Sequence, residues 1–185
     1  MNMILASKSP RRKELLEKMG YSFQIISKET PEVLDEELSV EDNILNISLE
    51  KGQAVFLEHK SSLVISCDTV VVFNNKIYGK PHSKEEAYKM LKSLSNNYHY
   101  VMSAVAIMYG KNKYQFVEKS KVYFKNLSDS DISDYLSHDE YKDKAGSYAI
   151  QGIGRCLVDR YEGSLNNIIG LPTEKIREIF DEIGI

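Results

Sequence analysis

The hydrophobic positions of this chain follow two spacings. Some segments are short and apolar, or alternate polar with apolar residues, which predicts β-strands. Others place apolar residues three or four positions apart, mostly behind a serine that suits a helix N-cap, which predicts α-helices. The predicted strands are Met3–Ala6, Tyr21–Ile25, Leu63–Ile65, Val70–Phe73, Lys76–Tyr78, 98–109, 113–124 and Cys156–Val158. Helices are predicted after Ser9, from Ser39 to about His59, after Ser83, from Ser128 to about Leu136, and from Pro172 onward.

The order of these elements indicates the fold class. Strand–helix units occur together with hairpins, one of them signalled by Asn74-Asn75 and one by Gly110-Lys111-Asn112. Residues 27–38 are acidic and predict a loop, whereas 138–155 are polar and contain glycine. No internal repeat or linker interrupts the sequence. We therefore predict an α/β fold with a mixed sheet, in a single domain over residues 1–185.

Composition excludes several classes of function. The chain is 42% hydrophobic and 28% charged, as is ordinary for a globular protein, and its net charge of −3 provides no general attraction to nucleic acid or anionic membrane. Cys67 and Cys156 have no CxxC spacing and predict reduced thiols, and the four histidines are too scattered for a zinc site. No segment resembles a signal peptide or a membrane span. We expect a cytoplasmic protein with neither a nucleic-acid nor a membrane partner.

The segment Ser7-Lys8-Ser9-Pro10-Arg11-Arg12 is the most informative motif. Ser9 suits an N-cap and Pro10 the first helical position, which puts Arg11 and Arg12 in the first helical turn. Cations are disfavoured there by the helix dipole, and a bound anion would relieve the conflict. The alternative is an ordinary surface helix whose arginines are solvated or paired with acids.

Three further segments carry candidate chemistry. Asp68 follows a buried apolar run and is a candidate base or metal ligand at a strand end, although spacing alone favours an aspartate that merely starts a turn. Lys80, in Gly79-Lys80-Pro81, could supply a point charge to a phosphate, although most surface lysines have no such role. Gln151 lies in the glycine-bearing stretch 144–152, where an amide could contact a base edge.

Taken together and in order, the motifs SxSPRR, DTVV, GKP, DKAGxYxIQG and NxxGLP resemble the Maf family of nucleoside triphosphate pyrophosphatases, from Ile4 to about Phe180. The resemblance implies an elongated, two-lobed α/β fold with a central cleft. It also implies hydrolysis of a nucleoside triphosphate to the monophosphate and pyrophosphate, with a divalent metal, Mg²⁺ or Mn²⁺.

The resemblance also implies residue roles. Asp68 matches the proton acceptor, and Glu32 an acidic cleft position that would bind metal together with Asp68. The matching substrate-binding positions are Ser7, Ser9, Arg11, Arg12, Lys51, Thr69, Lys80 and Gln151. The identities of Arg11, Thr69 and Gln151 resemble the branch that acts on dTTP and UTP rather than on 7-methyl-GTP. Departures from the common family text include Cys67 and Gly52, which both replace an alanine, and Ala149, which replaces a glycine.

Other interpretations remain open at this point. The same fold could belong to a non-catalytic nucleotide-binding regulator of cell division, a role linked with the family through septum formation. The chain could also belong to the 7-methyl-GTP branch. A nucleic-acid-binding module is disfavoured by the acidic net charge and by the lack of a basic stripe interleaved with aromatic residues. A homodimer is an alternative to a monomer, with the 98–124 hairpin as its candidate interface.

Overall fold

The computed structural model describes residues 2–185, and these form an α/β arrangement of strands and helices. The strands are β1 (Met3–Leu5), β2 (Gln24–Ile25), β3 (Leu63–Phe73), β4 (Lys76–Tyr78), β5 (Tyr98–Tyr109), β6 (Asn112–Phe124) and β7 (Val158–Glu162). The α-helices are α1 (Pro10–Lys18), α2 (Val40–Phe56), α3 (Lys84–Leu94), α4 (Asp129–Leu136), α5 (Leu165–Ile169) and α6 (Thr173–Glu182). Two short 3₁₀ helices cover Ala145–Ser147 and Ile153–Leu157.

The strands join one mixed sheet. Its order is β2-β1-β3-β5-β6-β7, and β4 pairs with β3 outside that path. β1 runs parallel to both β2 and β3, whereas β3–β4 and β6–β7 are antiparallel pairs. The prediction of an α/β fold with a mixed sheet is therefore confirmed.

Local chemistry explains where most helices begin. The Ser9, Ser39, Ser83 and Ser128 side chains each accept a hydrogen bond from the backbone N–H three residues later. Each bond satisfies a donor that the first helical turn leaves unpaired, which is why serine predicts these positions well. The hairpin between β3 and β4 is equally local, because Asn74 and Asn75 both adopt positive φ, as its tight turn requires.

Several predicted boundaries were wrong. β2 is only two residues long, α2 ends at Phe56, and α5 was not predicted. Residues 156 and 157 belong to a 3₁₀ helix, so β7 begins at Val158.

The most consequential correction concerns Asp68, which lies in the middle of the eleven-residue strand β3 and not at a strand end. The polar residues that suggested a break, Ser66, Asp68 and Thr69, all lie within one continuous strand. Ser66 is fully buried there and satisfied, since its Oγ donates to the Ser48 carbonyl at 2.6 Å. A polar side chain with a partner does not end a strand.

The chain divides into two compact units. The first extends to Thr69 and includes Ser103–Glu118 and Gly170–Ile185, and the second comprises Val70–Met102 and Lys119–Ile169. A cluster of Ile4, Val55 and Val64 lies in the core of the first unit. The single domain over residues 1–185 stays a prediction.

The core of the second unit contains a buried aromatic cluster. The His99 ring lies 5.0 Å from Phe124 and 5.4 Å from Tyr148, centroid to centroid, in edge-to-face contacts. His99 Nε2 and the Tyr148 hydroxyl are 2.7 Å apart. Burial lowers the pKa of His99 to about 3, so this histidine is neutral and structural.

None of the helices formed by residues 2–185 has the length and apolar character needed to cross a bilayer.

Candidate active site

The SxSPRR motif forms the junction between β1 and α1, as predicted. Ser9 caps α1, and its Oγ accepts the Arg12 N–H at 3.5 Å. Ser7 is buried just before it and its Oγ accepts the Ser9 N–H at 3.3 Å. The motif therefore organises its own backbone.

The Arg12 side chain holds three separate segments of the first unit. Its guanidinium donates to Ser7 Oγ at 3.1 Å through Nη1, to Thr69 Oγ1 at 3.1 Å through Nη2, and to the Gly170 carbonyl at 3.0 Å through Nε. Gly170 has φ +130°, a conformation that favours glycine, and lies between α5 and α6. Thr69 Oγ1 also lies 2.8 Å from Ser103 Oγ. Arg12 thus ties the β1–α1 junction, β3 and the α5–α6 connection together.

Arg11 differs from Arg12 in its surroundings. Its side chain is half-buried, and burial, followed by the neighbouring positive charge of Arg12, lowers the pKa of Arg11 below its ordinary value. Two guanidinium groups in one helical turn repel each other, and this cost falls when an anion binds beside them. The helix start can therefore accept an anionic ligand.

A second group of predicted residues meets at Lys51 on α2. Its Nζ lies 2.6 Å from Asp68 Oδ1 and 2.8 Å from Glu32 Oε1. The Asp68 side chain is only 12% exposed and that of Lys51 16%, whereas Glu32 is 61% exposed in its acidic loop. The two carboxylates converge on one cation, and Asp68 is the one shielded from solvent.

This donor set suits a hard divalent cation. Mg²⁺ is commonly held by one or two carboxylates plus substrate phosphates and waters, and does not require a cage of protein ligands. Asp68 and Glu32 are two such carboxylates, and the ammonium between them shows that they favour positive charge at one point. Within residues 2–185 no group of three or more His, Cys, Asp or Glu side chains is arranged to bind a metal. A site completed by the substrate therefore fits this structure, and a zinc-type site does not.

Close packing fixes α2 against β3. A Cβ added at Gly52 would lie 2.5 Å from both Ser66 Oγ and Met108 Cε. The glycine in place of the common alanine thus matches the neighbours of this chain. The other departure, Cys67, is buried, and its Sγ donates to the Gly170 carbonyl at 3.3 Å. Burial raises the pKa of the Cys67 thiol, so it is a structural group, and both cysteines are free thiols, as predicted.

The remaining predicted residues, Lys80 and Gln151, belong to the second unit, and both are exposed in loops. Lys80 directly follows Gly79, whose carbonyl accepts the Gly146 N–H at 3.1 Å. That bond joins the GKP turn to the Lys144–Gly146 loop. In the first unit the structure brings together one group, Ser7, Ser9, Arg12 and Thr69, and a second group, Glu32, Lys51 and Asp68. Arg11 belongs to the same unit, whereas Lys80 and Gln151 belong to the second.

Sequence reasoning missed the partners of these residues. Gly170 and Ser103 contact Arg12 and Thr69, respectively, and Glu140 contacts the segment that follows Gln151. No local pattern marks them, because each contact joins residues far apart in the chain. Gly170 alone carried a signal, as the glycine of the NxxGLP motif.

A mixed aromatic and basic surface in the second unit was also missed. Lys119 lies 4.1 Å from the Tyr100 ring centroid, Lys121 3.9 Å from that of Tyr98, and Arg160 3.5 Å from that of Tyr123. The sequence argument against nucleic acid assumed that no such stripe exists, and that part of it was wrong. Each cation is stabilised by a ring of the same surface, so these residues do not by themselves require a ligand. The absence of a nucleic-acid partner stays a prediction.

Comparison with known proteins agrees with the motifs. The chain matches the family described as Maf-like protein over residues 2–183. It is 42% identical to the dTTP/UTP pyrophosphatase of Caldicellulosiruptor bescii, over 98% of this chain and 94% of the relative. It is 43% identical to the protein of that name from Geobacillus sp. (strain WCH70), over 96% of each chain, and 40% identical to that of Bacillus velezensis, over 99% of this chain and 97% of the relative. With the family match covering nearly the whole sequence and the SxSPRR junction folded as described, this chain belongs to the Maf family.

Proposed function

We propose that this protein hydrolyses dTTP and UTP to the corresponding monophosphates and pyrophosphate. The observation that carries the proposal is the shielded Asp68 carboxylate, held by Lys51 at 2.6 Å in the same unit as the SxSPRR helix start. A carboxylate of this kind can accept a proton beside a site that accepts anions. The names of the relatives supply the substrate class, and they favour this branch over 7-methyl-GTP and over a non-catalytic regulator.

In the proposed reaction, water attacks the α-phosphorus. A new P–O bond forms to the water oxygen, the bond between the α-phosphorus and the bridging oxygen breaks, and pyrophosphate leaves. Asp68 accepts the proton that the water loses. Lys51 keeps the Asp68 carboxylate in one orientation, since it donates directly to Oδ1. Pyrophosphate is a good leaving group once its charge is neutralised, so no strong general acid is needed.

The basic residues of the chain provide that neutralisation. Arg11 lies at the N-terminal end of α1, where N–H groups and the helix dipole also favour an anion. We assign Lys80, together with Ser7, Ser9 and Arg12, to the phosphate-binding set that the family resemblance implies. Thr69 and Gln151 are assigned to selection of the base, because hydroxyl and amide groups can pair with the imide edge of uracil and thymine.

Asp68 and Glu32 would hold a divalent metal, Mg²⁺ or Mn²⁺. When bound, such an ion neutralises phosphate charge and polarises the phosphoryl group. Exchange of Lys51 for the metal as the partner of Glu32 would need little rearrangement, since Glu32 is the exposed member of the group.

Product analysis of the purified protein with Mg²⁺ tests the proposal. Separate reactions with dTTP, UTP, CTP, ATP, GTP and 7-methyl-GTP should give equal amounts of monophosphate and pyrophosphate, fastest with dTTP and UTP. Binding without turnover would support the regulator and refute the enzyme. The same products mainly from 7-methyl-GTP would refute only the assigned branch.

The variant Asp68→Asn tests the proton acceptor. We expect turnover to fall about 10²-fold or more, the scale of general-base catalysis, with nucleotide binding retained. Cys67→Ser is a suitable neighbouring control, since it changes β3 one position away without altering the carboxylate. Turnover by Asp68→Asn at the wild-type rate would rule out Asp68 as the base.

A further inference from the structure

The loop that carries Gln151 is held by a residue outside the family motifs discussed above. Glu140 follows α4 and is half-buried. Its Oε1 accepts the Ile153 N–H at 2.9 Å, and its Oε2 accepts the Gly154 N–H at 2.7 Å. One carboxylate therefore uses both oxygens on two consecutive backbone donors, two and three positions after Gln151.

These bonds replace a cap that the local sequence does not provide. The 3₁₀ helix Ile153–Leu157 begins after Gly152, which has no side chain to accept the first N–H groups. Glu140 supplies acceptors from 13 and 14 residues earlier in the chain. Bonds from backbone N–H groups to a carboxylate are among the stronger hydrogen bonds in proteins.

The surrounding glycines fit the same arrangement. A Cβ added at Gly152 would lie 1.7 Å from Glu140 Oε1, so only glycine lets the carboxylate approach this closely. A Cβ at Gly154 would lie 2.5 Å from the Ala149 carbonyl oxygen. The segment is thus closed on both sides of Gln151, by Glu140 and by the contact between Gly154 and Ala149.

The Glu140 carboxylate also has a buried neighbour in α4. Tyr135 is 2% exposed, and burial, followed by the negative charge of Glu140, raises the pKa of Tyr135. Tyr135 therefore remains a neutral phenol. The carboxylate lies between a packed helix and the loop, which limits its own movement as well.

We propose that Glu140 is a positioning residue for base selection, which fixes the backbone of the Gln151 loop so that the amide meets the base in one register. This inference rests on the proposed function. In this proposal Glu140 acts through Gln151, because both of its carboxylate oxygens are used by the Ile153 and Gly154 N–H groups. Its removal should therefore impair discrimination between bases and leave the chemical step largely intact.

A double-mutant cycle tests the inference. The quantity measured is the ratio of kcat/KM for UTP to that for CTP, two substrates of equal size that differ at the base edge. We expect Glu140→Gln to lower this ratio towards that of Gln151→Ala, by about tenfold, which corresponds to one hydrogen bond of ordinary strength. The change should appear in KM for UTP, with kcat within about twofold of wild type. In Glu140→Gln/Gln151→Ala the ratio should equal that of Gln151→Ala alone, because the second change has nothing left to disturb.

Matched variants separate positioning from general stability. Asp131→Asn removes another capping carboxylate of the same unit, since Asp131 Oδ2 accepts the Ser128 N–H at 2.8 Å at the start of α4. It should lower Tm without changing the UTP to CTP ratio. Gly152→Ala should displace the Glu140 carboxylate from the opposite side and reproduce the selectivity of Glu140→Gln, which provides a second route if Glu140→Gln does not fold.

The outcomes are distinct. An unchanged ratio in Glu140→Gln and Gly152→Ala, with normal pyrophosphate release by the wild type, would overturn the inference and leave the proposed function standing. Additive effects in the double variant would also overturn it. Failure of the wild type to release pyrophosphate from any pyrimidine triphosphate would refute the proposed function and, with it, this role for Glu140.

Discussion

Replacement of Gly52 by alanine should destabilise this protein although alanine is the better helix former. Gly52 is buried in α2, and an added Cβ would lie 2.5 Å from Ser66 Oγ and from Met108 Cε. Separations this short force a neighbour to move. The Met108 methyl group can rotate away, but Ser66 Oγ is buried and donates to the Ser48 carbonyl at 2.6 Å. The clash therefore acts on the bond that joins β3 to α2.

The expected magnitude follows from three contributions. Alanine gains about 1 kcal/mol in helix propensity over glycine. Overpacking of a filled core costs about 1–3 kcal/mol, and disruption of a buried hydrogen bond costs about 1–3 kcal/mol. The net expectation is a loss of about 1–5 kcal/mol in the free energy of unfolding, centred on about 3 kcal/mol. Turnover should also fall, because Lys51 precedes Gly52 and its Nζ–Asp68 Oδ1 distance of 2.6 Å depends on the position of α2.

Denaturant unfolding followed by circular dichroism measures the loss of stability, and pyrophosphate release measures turnover. Gly79→Ala is the matched control, since no atom lies within 4 Å of a Cβ added there, and its stability should stay within about 0.5 kcal/mol of wild type. The double variant Gly52→Ala/Ser66→Ala removes the Oγ clash and should recover part of the loss. Wild-type stability in Gly52→Ala, with the midpoint and slope of unfolding unchanged, would refute the packing argument.

Two further predictions concern Arg12 and His99. Arg12→Lys keeps the positive charge, but a lysine side chain cannot bond to Ser7, Thr69 and Gly170 together. The free energy of unfolding should therefore fall by about 2 kcal/mol, the scale of a hydrogen bond to a charged group. If the variant unfolds at the wild-type temperature, only the charge at this position matters. For His99, the folded pKa of about 3 lies below the ordinary value of 6.5, so the unfolded chain binds more protons and stability should fall as pH drops from 6.5 towards 3. His99 should contribute a slope of up to about 1.4 kcal/mol per pH unit to the plot of unfolding free energy against pH, and His99→Gln should lack this contribution. If the plots for wild type and variant are parallel between pH 4 and 7, His99 does not have the lowered pKa.

Much of the local structure could be predicted because its causes are local. Ser9, Ser39, Ser83 and Ser128 cap helices through bonds that span three residues. The β3–β4 turn also has a local cause, because Asn74 and Asn75 both adopt the positive φ that it requires. The strand β3 was harder, since polar residues on a buried strand resemble a break until their partners are known.

The candidate site divides in the same way. Residue types and motif order predicted that Asp68 and Lys51 are site residues and that the SxSPRR motif starts a helix. They did not predict that Asp68 lies within a strand, that Lys51 contacts both Asp68 and Glu32, or that Arg12 binds groups of its own chain. Side-chain roles of this kind depend on which groups the fold brings within hydrogen-bond distance.

The sequence alone determined the α/β class, the starts of five of the six α-helices, the hairpin turns and the family of this protein, because each depends on neighbouring residues or on motif order. Only the tertiary structure decided the partners of Arg12 and Glu140. Arg12 meets Gly170 across 158 positions, and Glu140 reaches Gly154 across 14. Contacts at such separations form only when the helices and strands pack together, and their energies depend on burial and geometry that no local pattern encodes.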